Sequence, residues 1–285
     1  MTVSHLVLPG AAVPTTLAAT PSSDLEAVLS SIETMAAQEP TAAQIVSMVD
    51  SDDTDARTLA RILASDVALA GRVMKLANSA YFGMRGRVTS LQVAVTVVGF
   101  PTVRTMATVA LSGLDDESRL PEGFWAMSTC VALAAATLAP RFGERPQDAL
   151  CLGLLAPLGV ALLHHSDREG YAELAAAEPT AAGRRAAEAR RYGIHAFRLT
   201  AVALEQWGFP PSMIAPLGAV DDLGDEDGAL LRAALEVAAR LTAEDHVPVP
   251  VEELTGGQLG EDAVVAVLDR VRAEADELRL AMLGE

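Results

Sequence analysis

The side chains that could hold a metal ion or move a proton are histidines and carboxylates in the second half of the chain. His164 and His165 are adjacent, and His195 precedes a predicted helix. Neutral imidazole and carboxylate groups can hold a metal ion that activates water, so one interpretation combines these histidines with Asp167 or Asp221. Neighbouring residues on a helix point about 100° apart, so His164 and His165 would not converge on one ion. We therefore predict that this pair caps a helix end and that His195 makes a hydrogen bond, with contact to a ligand or partner as its alternative role.

The sequence contains no motif typical of nucleophilic catalysis or of nucleotide binding. Cys130 and Cys151 are the only cysteines, and they lack the CxxC or Cys/His spacing of a zinc knuckle. No GxSxG, GxxxxGK[ST] or GxGxxG pattern is present, so acyl transfer and P-loop chemistry lack their parts. The sequence predicts no catalytic residue, no metal site and no cofactor.

One dense group of cations lies in the chain, with a single internal carboxylate, Glu188. Its members are Arg184, Arg185, Arg190, Arg191 and Arg198. A helix with these side chains could bind an anionic nucleotide or an acidic loop of a partner. The alternative is a solvated face whose charges pair with the acidic remainder of the protein. Arg184, Arg190 and Arg191 are therefore candidate ligand-binding residues.

Length and composition indicate a globular protein. The chain has 285 residues, of which 51% are hydrophobic and 21% charged, and this composition disfavours disorder. Its net charge is −17, with 18 acidic and 5 basic side chains after residue 198. Nucleic acid is thus disfavoured as a ligand, because affinity for it comes from Lys and Arg contacts to phosphate.

The same sequence predicts a cytoplasmic protein with no membrane segment. The longest uncharged apolar stretch, 149–163, is shorter than the roughly 20 residues that a membrane-spanning helix needs. No Lys or Arg occurs in residues 1–23, so the positive region of a secretory signal is missing, and two free thiols suit a reducing compartment.

Helical signals follow one another along the chain and predict an all-α fold. Capping residues precede apolar residues at helical spacing at Ser23, Thr41, Asp66 and Thr89. A strand-like run, 93–98, has caps on both sides and is predicted to be helical before a new helix starts at Pro101. Further predicted helices cover 24–37, 123–138, 147–156, 183–191, 195–207, 228–242 and 261–282.

We divide the chain into four parts. Residues 1–22 hold three prolines and no helical period, which predicts a flexible leader. Residues 23–242 form the predicted helical domain, which begins with an N-terminal helical subdomain. Residues 243–260, with two prolines and a Gly-Gly pair, form a predicted linker. The C-terminal helix in 261–285 could dock on the domain or pair between protomers, so a homodimer is one expectation.

Two stretches carry a family pattern. The first is Leu76-Ala-Asn-Ser-Ala-Tyr-Phe-Gly83 at a helix end, followed by Ser90-Leu91, Ala94-Val95 and Val98-Gly99. It resembles the HDOD family, the HD-related output domain of bacterial signalling proteins. The second stretch is similar to the same family: Glu188, Tyr192-Gly-Ile-His-Ala196, Leu204, Trp207 and Phe209-Pro210. The resemblance extends over about 41–242 and implies a multi-helix core like that of HD phosphohydrolases.

The motif turn has two interpretations. Asn78 and Ser79 suit a helix C-terminus, because short polar side chains can satisfy the last carbonyl groups. Direct contact with a partner is the alternative. The matched positions Tyr81, Phe82 and Trp207 complete this set of candidate partner-binding residues, together with His195.

The resemblance also implies where a metal would lie. HD phosphohydrolases hold a metal with a His, a His-Asp pair and a later Asp, whereas the similar positions here carry Met127, Ala156-Pro157 and Ala239. These side chains offer no oxygen or imidazole ligand to a hard divalent ion. Many HDOD members also show consecutive histidines where this chain has Asp221-Asp222. We therefore predict a protein that is not an enzyme.

The predicted function is that of a non-catalytic, bacterial signal-transduction module. It would bind and regulate another signalling protein in trans, such as a kinase, a cyclic-dinucleotide enzyme or a small regulatory protein. Two alternatives stay open: a residual HD-type metal-dependent phosphohydrolase that uses the histidines above, and a cyclic-dinucleotide sensor that uses the arginine group.

Overall fold

The computed structural model describes residues 40–48 and 55–284, and all regular structure within them is helical. The predicted leader and the predicted helix 24–37 lie outside these residues. The helices are α1 Pro40–Ser47, α2 Ala56–Leu63, α3 Val67–Ala77, α4 Leu91–Leu111, α5 Phe124–Leu138, α6 Pro146–Leu155, α7 Leu158–Ser166, α8 Arg168–Ala177, α9 Ala181–Tyr192, α10 Ala196–Gln206, α11 Pro211–Gly218, α12 Ala229–Thr242, α13 Val251–Leu254 and α14 Glu261–Leu283. Within the described residues, the predicted all-α fold is confirmed.

Local capping fixes where several helices begin. The Asp66 carboxylate accepts a hydrogen bond from Leu69 N–H at 2.9 Å, and Ser90 Oγ accepts one from Val93 N–H at 3.3 Å. Each bond satisfies a first-turn N–H that has no partner within its helix. Helix α1 begins at Pro40, one residue before the predicted start at Thr41.

Helix α4 is two helical segments joined at a kink. Gly99 has φ 77° and ψ 161°, which is not a helical conformation, and Pro101 follows in the first turn of the second segment. A positive φ costs glycine little because it has no Cβ atom. The strand-like run 93–98 is helical, as predicted.

The centre of the core is α5, which packs against α6, α12 and α14. Its residues are buried almost all around the helix. Gly153 of α6 lies against the backbone of Ala132, so an added side-chain carbon there would overlap α5. Two helical stretches, Leu91–Leu111 and Pro146–Ser166, are long and apolar enough to cross a membrane, but 67% and 83% of their apolar windows are buried inside the protein. Such burial is typical of core helices.

The segment 243–260 and the C-terminal helix are attached to the bundle by buried groups. Val251 and Leu259 are buried, and α14 buries an apolar face against α5 and α3. The buried carboxylate of Glu236 bonds to Arg240 Nε at 2.7 Å, His246 Nε2 at 3.1 Å and the Val249 N–H at 3.0 Å. The C-terminal helix therefore docks on its own chain, and the homodimer stays a prediction.

Candidate functional site

The segments that carry Met127, Ala156 and Ala239, the positions compared with the metal ligands of HD phosphohydrolases, lie close to one another. Ser128 Oγ on α5 donates to the Leu154 carbonyl near the end of α6 at 3.0 Å. Thr242 Oγ1 on α12 lies 4.0 Å from the Met127 sulfur on α5. Ala156 follows directly after α6 and is fully buried. The fold thus brings together the ends of three elements that the resemblance associates with a metal.

Helix α10 closes the junction between α6 and α7. Thr200 Oγ1 accepts a hydrogen bond from Gly159 N–H at 2.8 Å and lies 3.0 Å from the Ala156 carbonyl oxygen. A Cβ atom on Gly159 would overlap the carbonyl group of Ala196, so the two backbones touch. A side chain at position 159 would therefore collide with the backbone of α10.

The donor set does not fit a metal ion either. Met127, Ala156, Pro157 and Ala239 supply no hard ligand. Among the residues that the structure describes, no three His, Cys, Asp or Glu side chains are grouped so that they could hold a metal. The residues present therefore do not fit the metal that the resemblance implies.

The two adjacent histidines lie in the last turn of α7, as predicted, and have different surroundings. His164 is 6% exposed, and its Nδ1 lies 3.1 Å from the Arg119 carbonyl oxygen. His165 is exposed and borders a small cleft of about 140 Å³ with Arg119 and Asp116. Because burial disfavours the charged imidazole, the pKa of His164 is lowered.

The pH dependence of stability tests this burial. The unfolded imidazole has its ordinary pKa of about 6.5, whereas the folded pKa of His164 is lower, so the unfolded state binds the proton first as the pH falls. We expect the free energy of unfolding to decrease from about pH 7.5 to about pH 5.5, and His164→Gln to reduce that slope. His165→Gln is the matched control. Guanidinium titrations at both pH values measure how much the free energy of unfolding changes between them. The same change in His164→Gln as in the parent would contradict the lowered pKa of His164.

His195 caps α10 and belongs to a charged cluster. Its Nδ1 accepts from Arg198 N–H at 3.4 Å, and its Nε2 lies 3.2 Å from Asp221. The same carboxylate accepts from Arg185 Nε at 2.5 Å. Burial lowers the pKa of His195, while Asp221 acts in the opposite direction. The predicted hydrogen-bonding role is what the structure shows.

Most of the arginine group is neutralised within the chain. Arg190 pairs with Glu178 at 3.5 Å, and Arg191 with Asp167 at 2.9 Å. Arg184 is half-buried, and its Nε has no hydrogen-bond partner in the described structure. The pairing supports the interpretation of a solvated face for these members, whereas Arg184 and the exposed Arg198 form no ion pair among the described residues.

A buried carboxylate that the sequence did not single out for a role joins three helices. Glu188 is 1% exposed and accepts hydrogen bonds from Tyr171 OH and the Ala196 N–H, both at 2.8 Å. It thereby ties α8 and α9 to the start of α10. Burial raises the pKa of Glu188. No local spacing could have predicted this contact, because its partners lie on other helices.

The motif turn after α3 is shaped by Asn78. Its Nδ2 lies 3.1 Å from the Met74 carbonyl and 3.0 Å from the Val88 carbonyl, and its Oδ1 accepts from Val88 N–H at 3.0 Å. Ser79 is buried. The predicted capping role of Asn78 is confirmed, whereas that of Ser79 is wrong, because its buried Oγ has no hydrogen-bond partner among the described residues.

Tyr81 and Phe82 face a groove instead. Their rings meet edge to face with centroids 4.9 Å apart, and both side chains are half-buried. The groove has a volume of about 600 Å³ and includes Arg145, Arg270 and the start of α6. Burial raises the pKa of Tyr81 to about 12, so its phenol stays a neutral hydrogen-bond donor.

Trp207 lies elsewhere, at the end of α10. Its carbonyl accepts from Arg104 Nη2 at 2.6 Å. Of the candidate residues, the structure thus brings Tyr81 and Phe82 together at one groove. Arg184, Arg190, Arg191 and His195 lie on or beside α9.

Comparison with known families decides the classification. The model of the HDOD domain matches residues 35–223. The chain belongs to the HDOD family. No curated protein matches the sequence.

Solved structures share the HDOD fold. A protein of Shewanella amazonensis SB2B named "putative phosphohydrolase" has 22% identity and a TM-score of 0.69, with 90% of this chain and 98% of that chain covered. An HDOD domain protein with unknown function from Geobacter sulfurreducens has 22% identity and a TM-score of 0.63, with 89% and 99% covered. A "putative signal transduction protein" from Marinobacter aquaeolei VT8 has 20% identity and a TM-score of 0.65, with 92% and 67% covered. At such identities the similarity shows the fold.

A helix outside the HDOD match contacts the HDOD motif turn. Glu277 of α14 accepts a hydrogen bond from Ala80 N–H at 2.7 Å and pairs with Arg85 at 3.1 Å. Lys75 of α3 donates to the Gly284 carbonyl after the same helix. The motif turn is therefore held from both sides, by Asn78 within and by α14 from outside.

Proposed function

We propose that this HDOD protein is a non-catalytic signalling module that binds and regulates another signalling protein in trans. One observation carries the proposal: where HD phosphohydrolases bear a His-Asp pair, Ala156 is fully buried and the α7 and α10 backbones touch at Gly159. The HDOD assignment supports a role in signal transduction, and so does the signalling name of one similar structure.

The Tyr81–Phe82 groove is the proposed partner contact among the candidate residues. Aromatic and arginine side chains are enriched among the residues that dominate binding energy at protein interfaces. Tyr81 and Phe82 present such rings beside Arg145 and Arg270. Tyr81 and Phe82 pack partly against the core, and this packing lowers the entropy that they lose on binding.

Metal analysis and hydrolysis assays test the non-catalytic part. Protein purified after growth with Mn, Fe or Ni is expected to hold no stoichiometric metal. It is also expected not to hydrolyse bis(p-nitrophenyl) phosphate or a panel of cyclic dinucleotides. Bound metal together with hydrolysis that His195→Ala abolishes would overturn the proposal in favour of the residual phosphohydrolase.

Photo-crosslinking tests the binding part. A photoreactive amino acid is placed at Phe82, and a second at Asp269, whose side chain is 96% exposed on α14. In cells of the source organism, we expect the Phe82 position to capture one signalling protein repeatedly and the Asp269 position not to capture it. Failure to capture a protein from Phe82 and from positions on every other face would overturn binding in trans.

A cyclic-dinucleotide sensor is the second candidate, because the Arg184 Nε is buried without a partner. Phosphate oxygens are strong acceptors for such a donor. Calorimetric titration of cyclic dinucleotides into the parent protein and into a variant with Arg184→Ala, Arg190→Ala and Arg191→Ala tests it. Heat in the parent that the variant loses would support the sensor, and no heat in the parent would remove it.

A further inference from the structure

We infer that an acidic groove between α6, α11 and the start of α12 is the docking site for a basic amphipathic segment of the partner protein. This inference rests on the proposed function and specifies the chemistry of the partner. The groove is separate from the Tyr81–Phe82 groove, which it adjoins at Arg145. We name it the acidic groove.

The acidic groove has an apolar floor. Its volume is about 670 Å³, and Phe142, Leu152, Met213 and Leu230 are among its lining residues. The side chains of a short peptide could bury apolar surface against them. Such burial is favourable by about 25 cal/mol per Å² and supplies affinity that charge alone would not.

The rim carries negative charge that the protein does not neutralise. Glu144, Glu226 and Asp227 line the groove, are exposed, and form no ion pair among the described residues. Asp148 is the fourth carboxylate and lies 3.5 Å from Arg145, the one cation among the lining residues described. Three uncompensated carboxylates thus surround an apolar floor.

This arrangement differs from the arginine group on α9. There, Arg185, Arg190 and Arg191 each have a carboxylate partner from the same chain. The protein therefore neutralises its exposed cations on α9 but leaves the carboxylates of the acidic groove available. Lys and Arg side chains of another molecule are the complementary groups.

The acidic wall is held in a fixed position. The buried guanidinium of Arg232 donates to the carbonyls of Ala219, Asp222 and Asp225 at 2.7–2.8 Å, and to that of Leu254 at 2.6 Å. These bonds fix the turn that carries Glu226 and Asp227. A binding site that is already ordered loses less entropy when its ligand binds.

Charge also decides against other occupants. The whole chain has a net charge of −17, which would repel nucleic acid, an anionic lipid surface and a second copy of this chain. The same field would accelerate the encounter with a cationic segment. A helix or extended peptide with apolar residues on one side and Lys or Arg on the other matches both the floor and the rim.

Peptide binding with charge-reversed variants tests the inference. The probes are a labelled amphipathic peptide of about 15 residues made of Leu and Lys, and its Leu and Glu counterpart. We expect the Lys peptide alone to bind. We expect the double change Glu226→Lys with Asp227→Lys to weaken that binding by about tenfold or more.

A matched control separates the groove from the overall charge. Glu244 and Asp245 are exposed residues that do not line the groove, and their double change to Lys alters the net charge equally. We expect it to weaken binding by less than about threefold. Ser212→Trp, which fills the groove without changing charge, is expected to weaken binding like the groove variant. Equal effects of the two double changes, or binding of both peptides alike, would overturn the inference.

Crosslinking in cells separates this inference from the proposed function. A photoreactive amino acid at Ser212 is compared with those at Phe82 and Asp269. The inference is supported if the residue at Ser212, alone or together with the residue at Phe82, crosslinks to a partner peptide that is rich in Lys or Arg. Capture from Phe82 without capture from Ser212 overturns the acidic groove but keeps the proposed function, and capture from no face overturns both.

Discussion

We expect Gly159→Ala to lower the free energy of unfolding by about 3 kcal/mol or more. The added methyl group would overlap the carbonyl of Ala196, which belongs to the backbone and cannot rotate away. Helix α10 would have to move from α7, and the hydrogen bond from Gly159 N–H to Thr200 would lengthen. Urea titration followed by circular dichroism measures the loss.

The matched control for this change is another helical glycine. Gly71 lies within α3, is exposed, and has no atom within 4 Å of an added Cβ. Alanine there is expected to stabilise the protein by about 0.5–1 kcal/mol, because it restricts the unfolded chain and suits a helix. Opposite signs at the two positions would support close packing at Gly159, and similar effects would contradict it.

The second large effect is expected at Arg232. Arg232→Ala removes four hydrogen bonds to backbone carbonyls from a side chain that is nearly buried. Because some of those carbonyls would remain without a partner, we expect a loss of about 3 kcal/mol or more. Arg232→Lys should recover little, since one ammonium group cannot reach acceptors that a planar guanidinium spans.

Two measurements check the Arg232 prediction. Denaturant titration gives the stability, with Arg57→Ala as the control because Arg57 is exposed and makes no hydrogen bond or ion pair in the described residues. That control should lie within about 0.5 kcal/mol of the parent. Limited proteolysis should show faster cleavage near Glu226 in Arg232→Ala. An intact turn with unchanged stability would show that the four bonds contribute nothing.

The sequence predicts much of the helical framework because helix signals are local. Asp66 caps α3 as predicted, and Gly99 divides α4 before Pro101, but the cap of α4 is Ser90, one residue after the predicted Thr89. The helix predicted at 195–207 is observed as Ala196–Gln206, with His195 and Trp207 as its caps. In each case the signal and the structure lie within a few residues of each other.

Contacts between distant segments could not be predicted in this way. Glu188 and Tyr171 are hydrogen-bonded across 17 positions, and Gly159 approaches a helix that begins at Ala196. The arginine group illustrates the same limit, because its sequence shows the cations but not the carboxylates that fold against them. Helix α8 was not predicted, and its Asp167 cap also accepts a hydrogen bond from Arg191 of α9, a contact between distant segments.

The helices that pack around α5 show that the segment matched by the family model and the segment needed to form the core are not the same. Helix α6 lies inside the stretch recognised as HDOD, 35–223, whereas α12 and α14, which cover other faces of α5, lie beyond it. A fragment cut at residue 223 would expose those faces to water, and we would expect it to aggregate rather than fold. The segment that identifies the family is thus shorter than the segment that must be synthesised before the core can form.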